Sequence, residues 1–347
     1  MTSTNTLRPG QLAKLLAATI PARLPVMITG APGVGKSDVV TQAAAAAGAR
    51  LILSHPVTSD PTDYKGLPFP SQDKTRADFL PFGDLAELTR ADSPTVFFLD
   101  DLGQAPASVQ AAAMQLILAR QVNGHKVSDQ VVFIAATNRR QDRAGVSGIL
   151  EPVKSRFAAI VELAPTVDDW CAWAIPAGVP AEVVAYIRFR PDNLQDFKPS
   201  PDMNNSPSPR TWAQCGKLVA LGLPADLEYS AYAGAIGEGA AAEFLGFLRV
   251  FRDLPSIDSV LLAPDRAPIP GNVSALYAIS TALASRANLN NIGRILTYAG
   301  RLLDDGKGEF AALLMRDAYR RDRSITSAPE FTAAAVGPLG ALISGTD

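Results

Sequence analysis

Cysteine and histidine are both scarce in this sequence. Of its 347 residues two are cysteine, Cys171 and Cys215, and two are histidine, His55 and His125. The cysteines are too few and too far apart along the chain for a disulfide framework or a zinc site, so we expect two buried thiols. The histidines have no partners at metal-ligand spacing and are interpreted as structural or surface residues. The disulfide-rich and zinc-binding classes of protein are therefore excluded.

Excess charge of one sign and long apolar runs are also missing. Lysine and arginine total 32 against 34 acidic residues, so no global positive field would hold nucleic acid through counterion release. No apolar run approaches the roughly eighteen residues of a membrane span, and residues 1–9 hold no apolar signal core. We therefore expect a cytoplasmic enzyme of about two domains, with nucleic acid and membrane both disfavoured as partners.

What the sequence does contain is a glycine-rich segment directly after a short apolar run. Residues 24–29 have the composition of a buried strand, and they are followed by Gly30, Ala31, Pro32, Gly33, Val34, Gly35, Lys36 and Ser37. This is the pattern G-x-x-x-x-G-K-[ST] at a strand-to-helix junction, where backbone amides and a helix N-terminus can cradle phosphates. Lys36 would reach the β- and γ-phosphates, and Ser37 would ligate Mg²⁺. A turn that merely joins strand to helix would leave the filled motif unexplained, so the segment predicts binding of a nucleoside triphosphate.

A second apolar run, residues 94–99, ends in two carboxylates, Asp100 and Asp101. In the Walker B arrangement the first acid holds Mg²⁺ directly or through water, which assigns that role to Asp100. The second acid, Asp101, would orient and activate the attacking water as general base. Two acids that simply end a strand are a common alternative, but the phosphate-binding loop upstream favours the Walker B interpretation.

Three further polar residues follow in order. The apolar run 130–136 leads to Asn138, whose amide could hydrogen-bond the lytic water, or alternatively cap the next turn. Arg156 precedes another strand-like run, and Arg210 begins a helix-like segment. Either arginine taken alone is most often a solvated surface charge. The order of the motifs is more informative than any single residue.

The pattern of segments predicts an α/β fold, a parallel sheet sandwiched by helices. Helices are expected over residues 8–22, from the glycine-rich loop to Gly48, and over 104–120, with apolar strands between them. In such sheets ligands bind at the carboxyl ends of the strands, where all three motifs fall. Beyond residue 166 we expect helices, with an irregular loop at 191–209 and a break at 264–271.

In this order of motifs the chain resembles the AAA+ ATPases, and within them the MoxR-like group with its midasin- and dynein-related neighbours. The resemblance covers roughly residues 8–220. It implies Walker A at residues 30–37, Walker B at Asp100 and Asp101, sensor 1 at Asn138, an arginine finger at Arg156 and sensor 2 at Arg210. It also includes residues 60–68, similar to a stretch after the second strand, and 120–126, similar to the turn before the sensor 1 strand.

The resemblance implies an organisation and an activity. Residues 1–165 would be the nucleotide-binding core, 166–225 a helical lid carrying sensor 2, and 226–347 a helical C-terminal extension. Such a protein binds ATP and Mg²⁺, hydrolyses ATP, and assembles as a homo-oligomeric ring, expected to be a hexamer. It would remodel or activate a protein partner in a chaperone-like way. A von Willebrand factor A-domain protein is the leading expectation for that partner.

One residue departs from the family pattern and keeps a second function open. The family usually has glutamate where this chain has Asp101, whose carboxylate sits about 1 Å or more further back, and misplacement of that size can cost on the order of 10²-fold in rate. An ATP-dependent assembly switch or scaffold that hardly hydrolyses is therefore an alternative. A small-molecule P-loop kinase is another, although it does not explain Arg210. A clamp loader or helicase shares the fold, and only the balanced charge opposes it.

Overall fold

A computed structural model of the protein describes residues 5–142, 148–198 and 203–340. Within these residues the chain forms two compact units. Unit 1 consists of residues 5–142, 148–166 and 197–198, and unit 2 consists of residues 167–196 and 203–340. None of the helices in the described part of the chain combines the length and the apolar character that crossing a membrane requires.

Unit 1 alternates strands and helices, as expected. Its strands in the described residues are β1 Thr6–Leu7, β2 Val26–Gly30, β3 Arg50–Ser54, β4 Leu67–Pro70, β5 Ala77–Leu80, β6 Thr95–Leu99, β7 Gln121–Val122, β8 His125–Lys126, β9 Val131–Asn138 and β10 Ala159–Leu163. Its helices there are α1 Pro9–Ala22, α2 Lys36–Ala46, α3 Pro61–Lys65, α4 Gly83–Arg90, α5 Ala107–Ala119 and α6 Glu151–Lys154. Short 3₁₀ turns span Leu102–Gln104 and Arg140–Asp142.

Six strands form one sheet in the order β1-β10-β2-β9-β6-β3, and every pairing in it is parallel. The register matches Gly30 at the end of β2 with Asn138 at the end of β9, and Leu99 at the end of β6 with Ala135. Parallel strands present their carboxyl ends at one edge, so the segments that follow β2, β6 and β9 emerge side by side. The expected parallel sheet between helices is confirmed.

The central strands are apolar on both faces because helices cover both. Alternate residues of one strand enter different cores: Phe97 and Leu99 belong to the cluster that includes α5, whereas Val96 and Phe98 belong to the cluster that includes α1 and α2. Strands buried on both sides read as continuous apolar runs. That is why the sequence pattern alone located them.

Two antiparallel hairpins project from this α/β framework. One pairs β4 with β5 and the other pairs β7 with β8, with Asn123 and Gly124 in the left-handed region at the turn. The Asn123 side-chain amide donates to the Lys65 carbonyl at 2.8 Å. His125 Nε2 lies 2.5 Å from the Phe79 carbonyl oxygen, which can only accept, so this nitrogen carries the proton. The segment at 120–126 is therefore a turn that is tied to a second hairpin, and β5 was not predicted.

Unit 2 is helical throughout its described residues. Its helices there are α7 Val167–Ala174, α8 Ala181–Phe189, α9 Pro209–Ala220, α10 Ala225–Ile236, α11 Glu238–Arg252, α12 Ile257–Leu262, α13 Val273–Ser285, α14 Ile292–Asp304, α15 Gly308–Arg321 and α16 Pro329–Val336, with 3₁₀ turns at Pro191–Leu194 and Arg323–Ser327. The expected break at 264–271 falls between α12 and α13. One apolar cluster includes residues of α7 to α11, so it spans residue 225, and the division into lid and extension there stays a prediction.

Several polar and sulfur-bearing side chains of unit 2 are structural. Cys171 and Cys215 are buried free thiols, and burial raises the pKa of Cys171 to about 11 and that of Cys215 to about 12, which makes both unreactive. Arg188 of α8 and Asp317 of α15 form a two-pronged ion pair with side chains 3% and 1% exposed. Burial opposes the charged arginine, but the hydrogen bonds and charge of Asp317 outweigh it and raise the pKa of Arg188.

Candidate nucleotide-binding site

The glycine-rich loop connects β2 to α2 at the carboxyl edge of the sheet. Gly33 and Gly35 have φ of 75° and 92°, in the left-handed region that glycine adopts without a steric penalty. Gly35 precedes the first residue of α2 and supplies no side-chain cap. A helix start without a side-chain cap directs its first amides outward with the positive end of the dipole, which suits a phosphate. The loop therefore has the backbone that the sequence motif predicts.

Lys36 links this loop to the sensor strand. Its ammonium donates to the carbonyl oxygens of Gly30 at 3.1 Å and Ala31 at 3.0 Å, and to Asn138 Oδ1 at 2.7 Å. These acceptors are neutral, and Lys36 is only 7% exposed. A buried ammonium beside the open end of a phosphate loop is a fitting partner for an anion. The structure thus brings Lys36 and Asn138 together as the motif order implied.

Ser37 links the same loop to the end of β6. Its hydroxyl donates to Asp100 Oδ2 at 2.7 Å, and the other oxygen of Asp100 accepts the backbone amide of Asp101 at 3.1 Å. A hydroxyl and a carboxylate in contact supply the oxygen ligands that Mg²⁺ prefers. The side chains present here therefore fit a magnesium nucleotide, with Lys36 toward the phosphates and Ser37 and Asp100 toward the metal.

Asp101 is the next residue in the chain, and its backbone conformation is uncommon for a residue other than glycine. Its φ of 57° and ψ of 33° place it in the left-handed region, which turns the chain out of β6 into the Leu102–Gln104 turn. Its carboxylate Oδ1 accepts a hydrogen bond from Gln104 Nε2 at 2.7 Å. The hydroxyl of Thr137, immediately before Asn138, lies 3.4 Å from Gln104 Oε1. Gln104 is thus a site residue that the motifs did not single out, because its spacing three residues after Asp101 does not reveal its second contact on β9.

A second unpredicted residue holds the segment after β9. Arg139 pairs with Asp142 at 2.9 Å and with Glu162 of β10 at 3.0 Å. The hydrogen bonds that Arg139 donates to Asp142, and to a lesser extent the one that it donates to Glu162, raise the pKa of Arg139 despite partial burial. This double ion pair ties the residue after Asn138 to β10, on the far side of β2 from β9, and so helps to fix the sensor side chain.

Arg156 lies at the opposite edge of the sheet. It follows α6 and precedes β10, and β10 runs parallel to β2 with Ala159 opposite Val26. Arg156 therefore lies by the amino ends of strands whose carboxyl ends carry the loop, about 13 Å away along β2 at 3.3 Å per residue. Its Nη1 contacts the Ser155 hydroxyl at 3.2 Å, while its buried Nε has no hydrogen-bond partner among the described residues. The structure does not bring Arg156 to the loop of its own chain.

Arg210 belongs to unit 2. It is an exposed residue in the first turn of α9, where Ser208 accepts the amide of Thr211 at 3.2 Å in a reciprocal capping box. The side chain therefore stands on a well-defined helix start. Its role as sensor 2 stays a prediction.

The family comparison agrees with this geometry. Residues 26–164 match the family model described as ATPase family associated with various cellular activities, or AAA. This segment is an AAA ATPase domain. It includes β2, β6, β9 and β10 of unit 1, together with the loop, both aspartates, the sensor asparagine and Arg156.

Most of the chain is distantly similar in fold to several solved structures. The Thermotoga maritima RuvB Holliday junction branch migration motor is 17% identical with a TM-score of 0.39, and a single-residue mutant of the same motor is 16% identical with a TM-score of 0.42, each over 79% of this chain and 80% of the other. NtrX from Brucella abortus in complex with ADP is 16% identical with a TM-score of 0.40, over 96% of this chain and 68% of the other. These values are too low to carry conclusions about activity. A search of curated proteins gave no match.

Proposed function

We propose that the protein is an ATP-hydrolysing AAA+ ATPase of the MoxR-like type that assembles as a homo-oligomeric ring, a hexamer, and remodels or activates a protein partner. The observation that carries the ATPase part is the pair of contacts from Lys36 to Asn138 and from Ser37 to Asp100. They join the glycine-rich loop, the acidic strand end and the sensor strand into one cluster, which a simple turn between strand and helix would not need.

The residues of the cluster have separable tasks. The backbone of residues 30–37 and the Lys36 ammonium would hold the phosphate chain, and Ser37 and Asp100 would hold Mg²⁺. When bound, the magnesium nucleotide supplies the phosphoanhydride bond that water cleaves. Asp101 has its Oδ1 engaged by Gln104, which leaves Oδ2 to accept a proton from that water. The Asn138 amide would orient the water beside Asp101.

Arg156 supports the assembly part of the proposal. A guanidinium at the amino edge of the sheet is poorly placed for the loop of its own chain, whereas in a head-to-tail ring it can face the loop of a neighbour. There it would stabilise the charge that develops on the γ-phosphate. The MoxR-like assignment, and with it a von Willebrand factor A-domain partner, rests on the order of the sequence motifs.

Removal of the Lys36 ammonium tests nucleotide binding. Lys36→Ala is expected to weaken ATP binding about 100-fold, because a charge-assisted contact to phosphate is worth roughly 1.5–3 kcal/mol and the buried loop loses its cation. Calorimetric titration measures the affinity, and Lys14→Ala, at an exposed lysine of α1, is the matched control. Undiminished affinity in Lys36→Ala would show that the loop is not the nucleotide site.

A nucleotide-dependent scaffold with little hydrolysis is the second candidate. The short side chain of Asp101 and its engagement by Gln104 favour it. The two candidates differ in a single measurement, the steady-state turnover of ATP by the assembled wild-type protein. A scaffold binds ATP and assembles with it but releases phosphate no faster than the Asp101→Asn variant.

A further inference from the structure

Gln104 lies between two elements of the candidate site. Its Nε2 donates to Asp101 Oδ1 at 2.7 Å, and its Oε1 lies 3.4 Å from the Thr137 hydroxyl on β9. The Thr137 hydroxyl also lies 3.2 Å from the carbonyl oxygen of Asn138. A continuous series of polar contacts therefore runs from the proposed general base to the strand that carries the sensor asparagine.

The chemistry of these groups allows one orientation of the glutamine amide. A carboxylate can only accept, so the NH₂ of Gln104 must face Asp101. The oxygen then faces Thr137, whose hydroxyl can donate to it. The single hydroxyl proton of Thr137 is shared between this oxygen and the carbonyl oxygen of Asn138. Reversing the amide would place oxygen against carboxylate. The contact is thus specific to an amide, and glutamate at this position would repel Asp101.

Gly103 makes this arrangement possible. A Cβ at residue 103 would overlap the Thr137 hydroxyl oxygen, and its φ is not in the left-handed region, so space alone requires glycine here. The Leu102–Gln104 turn therefore packs its backbone directly against β9. That close approach brings Gln104 within reach of Thr137 while Asp101, three residues earlier, starts the turn.

We propose that Gln104 is a positioning residue. It fixes the Asp101 carboxylate and, through its contact with Thr137, holds that carboxylate in a constant position relative to β9. This inference rests on the proposed ATPase function, in which Asp101 is the general base. The amide holds one carboxylate oxygen and leaves the other directed toward the water. It thereby limits the motion of an aspartate that is one methylene shorter than the usual glutamate.

Two substitutions at Gln104 test the proposal. Gln104→Met keeps the length of the side chain and removes both polar contacts, and it is expected to lower kcat about tenfold, within the effect of a 1 Å displacement of a reacting group. Gln104→Glu is expected to lower kcat further, because it places a second anion against Asp101. The KM and the Kd for ATP stay unchanged in both. Gln42→Met, at an exposed position of α2, is the control and leaves kcat unaltered.

Thr137 provides an independent approach from the other end of the contact. Thr137→Val is expected to lower kcat by a smaller factor than Gln104→Met, and Thr137→Ser, which retains the hydroxyl, recovers most of the loss. A double-mutant cycle then isolates the coupling. In the Asp101→Asn background Gln104→Met has no further effect if it acts through Asp101. An equal loss in both backgrounds, or wild-type kcat in Gln104→Met, would overturn the proposal.

A nucleotide-free measurement separates this proposal from the ATPase assignment. The side-chain amide signal of Gln104 in an NMR spectrum is identified by its disappearance in Gln104→Met. It is expected to shift in Asp101→Asn, because the donor then faces a neutral group, and to stay in place in the control Asp38→Asn on α2. An unmoved signal refutes the contact even if the protein hydrolyses ATP. A shifted signal in a protein without turnover refutes the ATPase proposal but not the contact.

Discussion

Arg156 in unit 1 and Arg188 in unit 2 are both at least partly buried, and each has an Nε without a hydrogen-bond partner among the described residues. Their other contacts differ. Arg188 has both oxygens of Asp317, a residue 129 positions away, as partners for its two terminal nitrogens. Arg156 contacts only a hydroxyl of the adjacent Ser155 in the hydrogen bonds of the described chain.

This difference distinguishes a guanidinium that is paired within its own unit from the one that we propose acts on another molecule. The charge of Arg188 is compensated inside its own unit, so its removal should affect folding. The charge of Arg156 is not paired with a carboxylate among the described ion pairs, which is compatible with the role toward a neighbouring subunit that we propose for it. The order of the sequence motifs singles out Arg156, but nothing in the sequence shows that Arg188 is paired and Arg156 is not.

The largest effect is expected for Arg156→Ala in turnover. Fingers of this kind are worth roughly 10³–10⁵ in rate, so ATP should bind normally and be hydrolysed at a rate lower by a factor in that range. Thermal unfolding should not change, since no ion pair is lost. Steady-state phosphate release, calorimetric ATP binding and a melting curve together measure these three expectations, with Arg90→Ala on α4 as a control at a surface arginine.

Mixing two inactive proteins sharpens this prediction. Lys36→Ala retains the finger and Arg156→Ala retains the loop, so a mixed ring contains sites with both parts intact and should regain part of the wild-type rate. Specific activity should also rise with protein concentration as rings form. The assembly proposal fails if mixing restores nothing and activity per molecule is constant down to the lowest concentration.

A somewhat smaller effect on turnover is expected for Asp101→Asn. An amide cannot accept the proton from water, and loss of a general base typically costs about 10²–10⁴-fold. ATP affinity should be retained, in contrast to Lys36→Ala. Asp101→Glu extends the carboxylate by one methylene and is expected to raise kcat. Wild-type turnover in Asp101→Asn would assign the base to another residue.

The smallest effect on activity, and a clear effect on stability, is expected at the buried ion pair of unit 2. Arg188→Met removes the two-pronged partner of buried Asp317 and leaves it only Arg320, at 3.5 Å. The free energy of unfolding should fall by about 3 kcal/mol, the lower end of the cost of breaking a buried ion pair. Replacing both residues of the pair, as Arg188→Met with Asp317→Leu, should recover most of the lost free energy of unfolding. Urea unfolding measures the change. If the midpoint of urea unfolding is unchanged in Arg188→Met, Arg188 is not needed for stability and the contrast between Arg188 and Arg156 is wrong.

The sheet and most of its site could be predicted because their signals are local. A strand buried on both faces is a continuous apolar run, and the residues that follow such runs, Lys36, Asp100 and Asn138, necessarily meet at the carboxyl edge of a parallel sheet. The short pairing of β1 with β10 has no such signal, since two residues carry no periodicity. The spacing of Trp170 and Trp173 on α7 likewise does not show that the first is buried, at 4% exposure, and the second exposed, at 43%.

The parts that could not be predicted depend on contacts between distant residues. Arg188 and Asp317 are 129 positions apart, and Arg139 reaches Glu162 on another strand. Gln104 presents a further case, because its distance from Asp101 is local but its second contact, on β9, is not. An Asp-x-x-Gln spacing becomes informative only when the fold shows which residue the other end of the glutamine amide contacts, here Thr137.

The left-handed backbone at Asp101 has a consequence for how this position can change. Aspartate and asparagine visit that conformation more readily than longer side chains, for which it costs about 1–2 kcal/mol. Glutamate at position 101 would therefore destabilise the turn, but its carboxylate would lie closer to the attacking water. The shorter acid is therefore the one that this backbone conformation accommodates at the lower cost. A gain in rate in Asp101→Glu should accordingly be accompanied by a lower melting temperature.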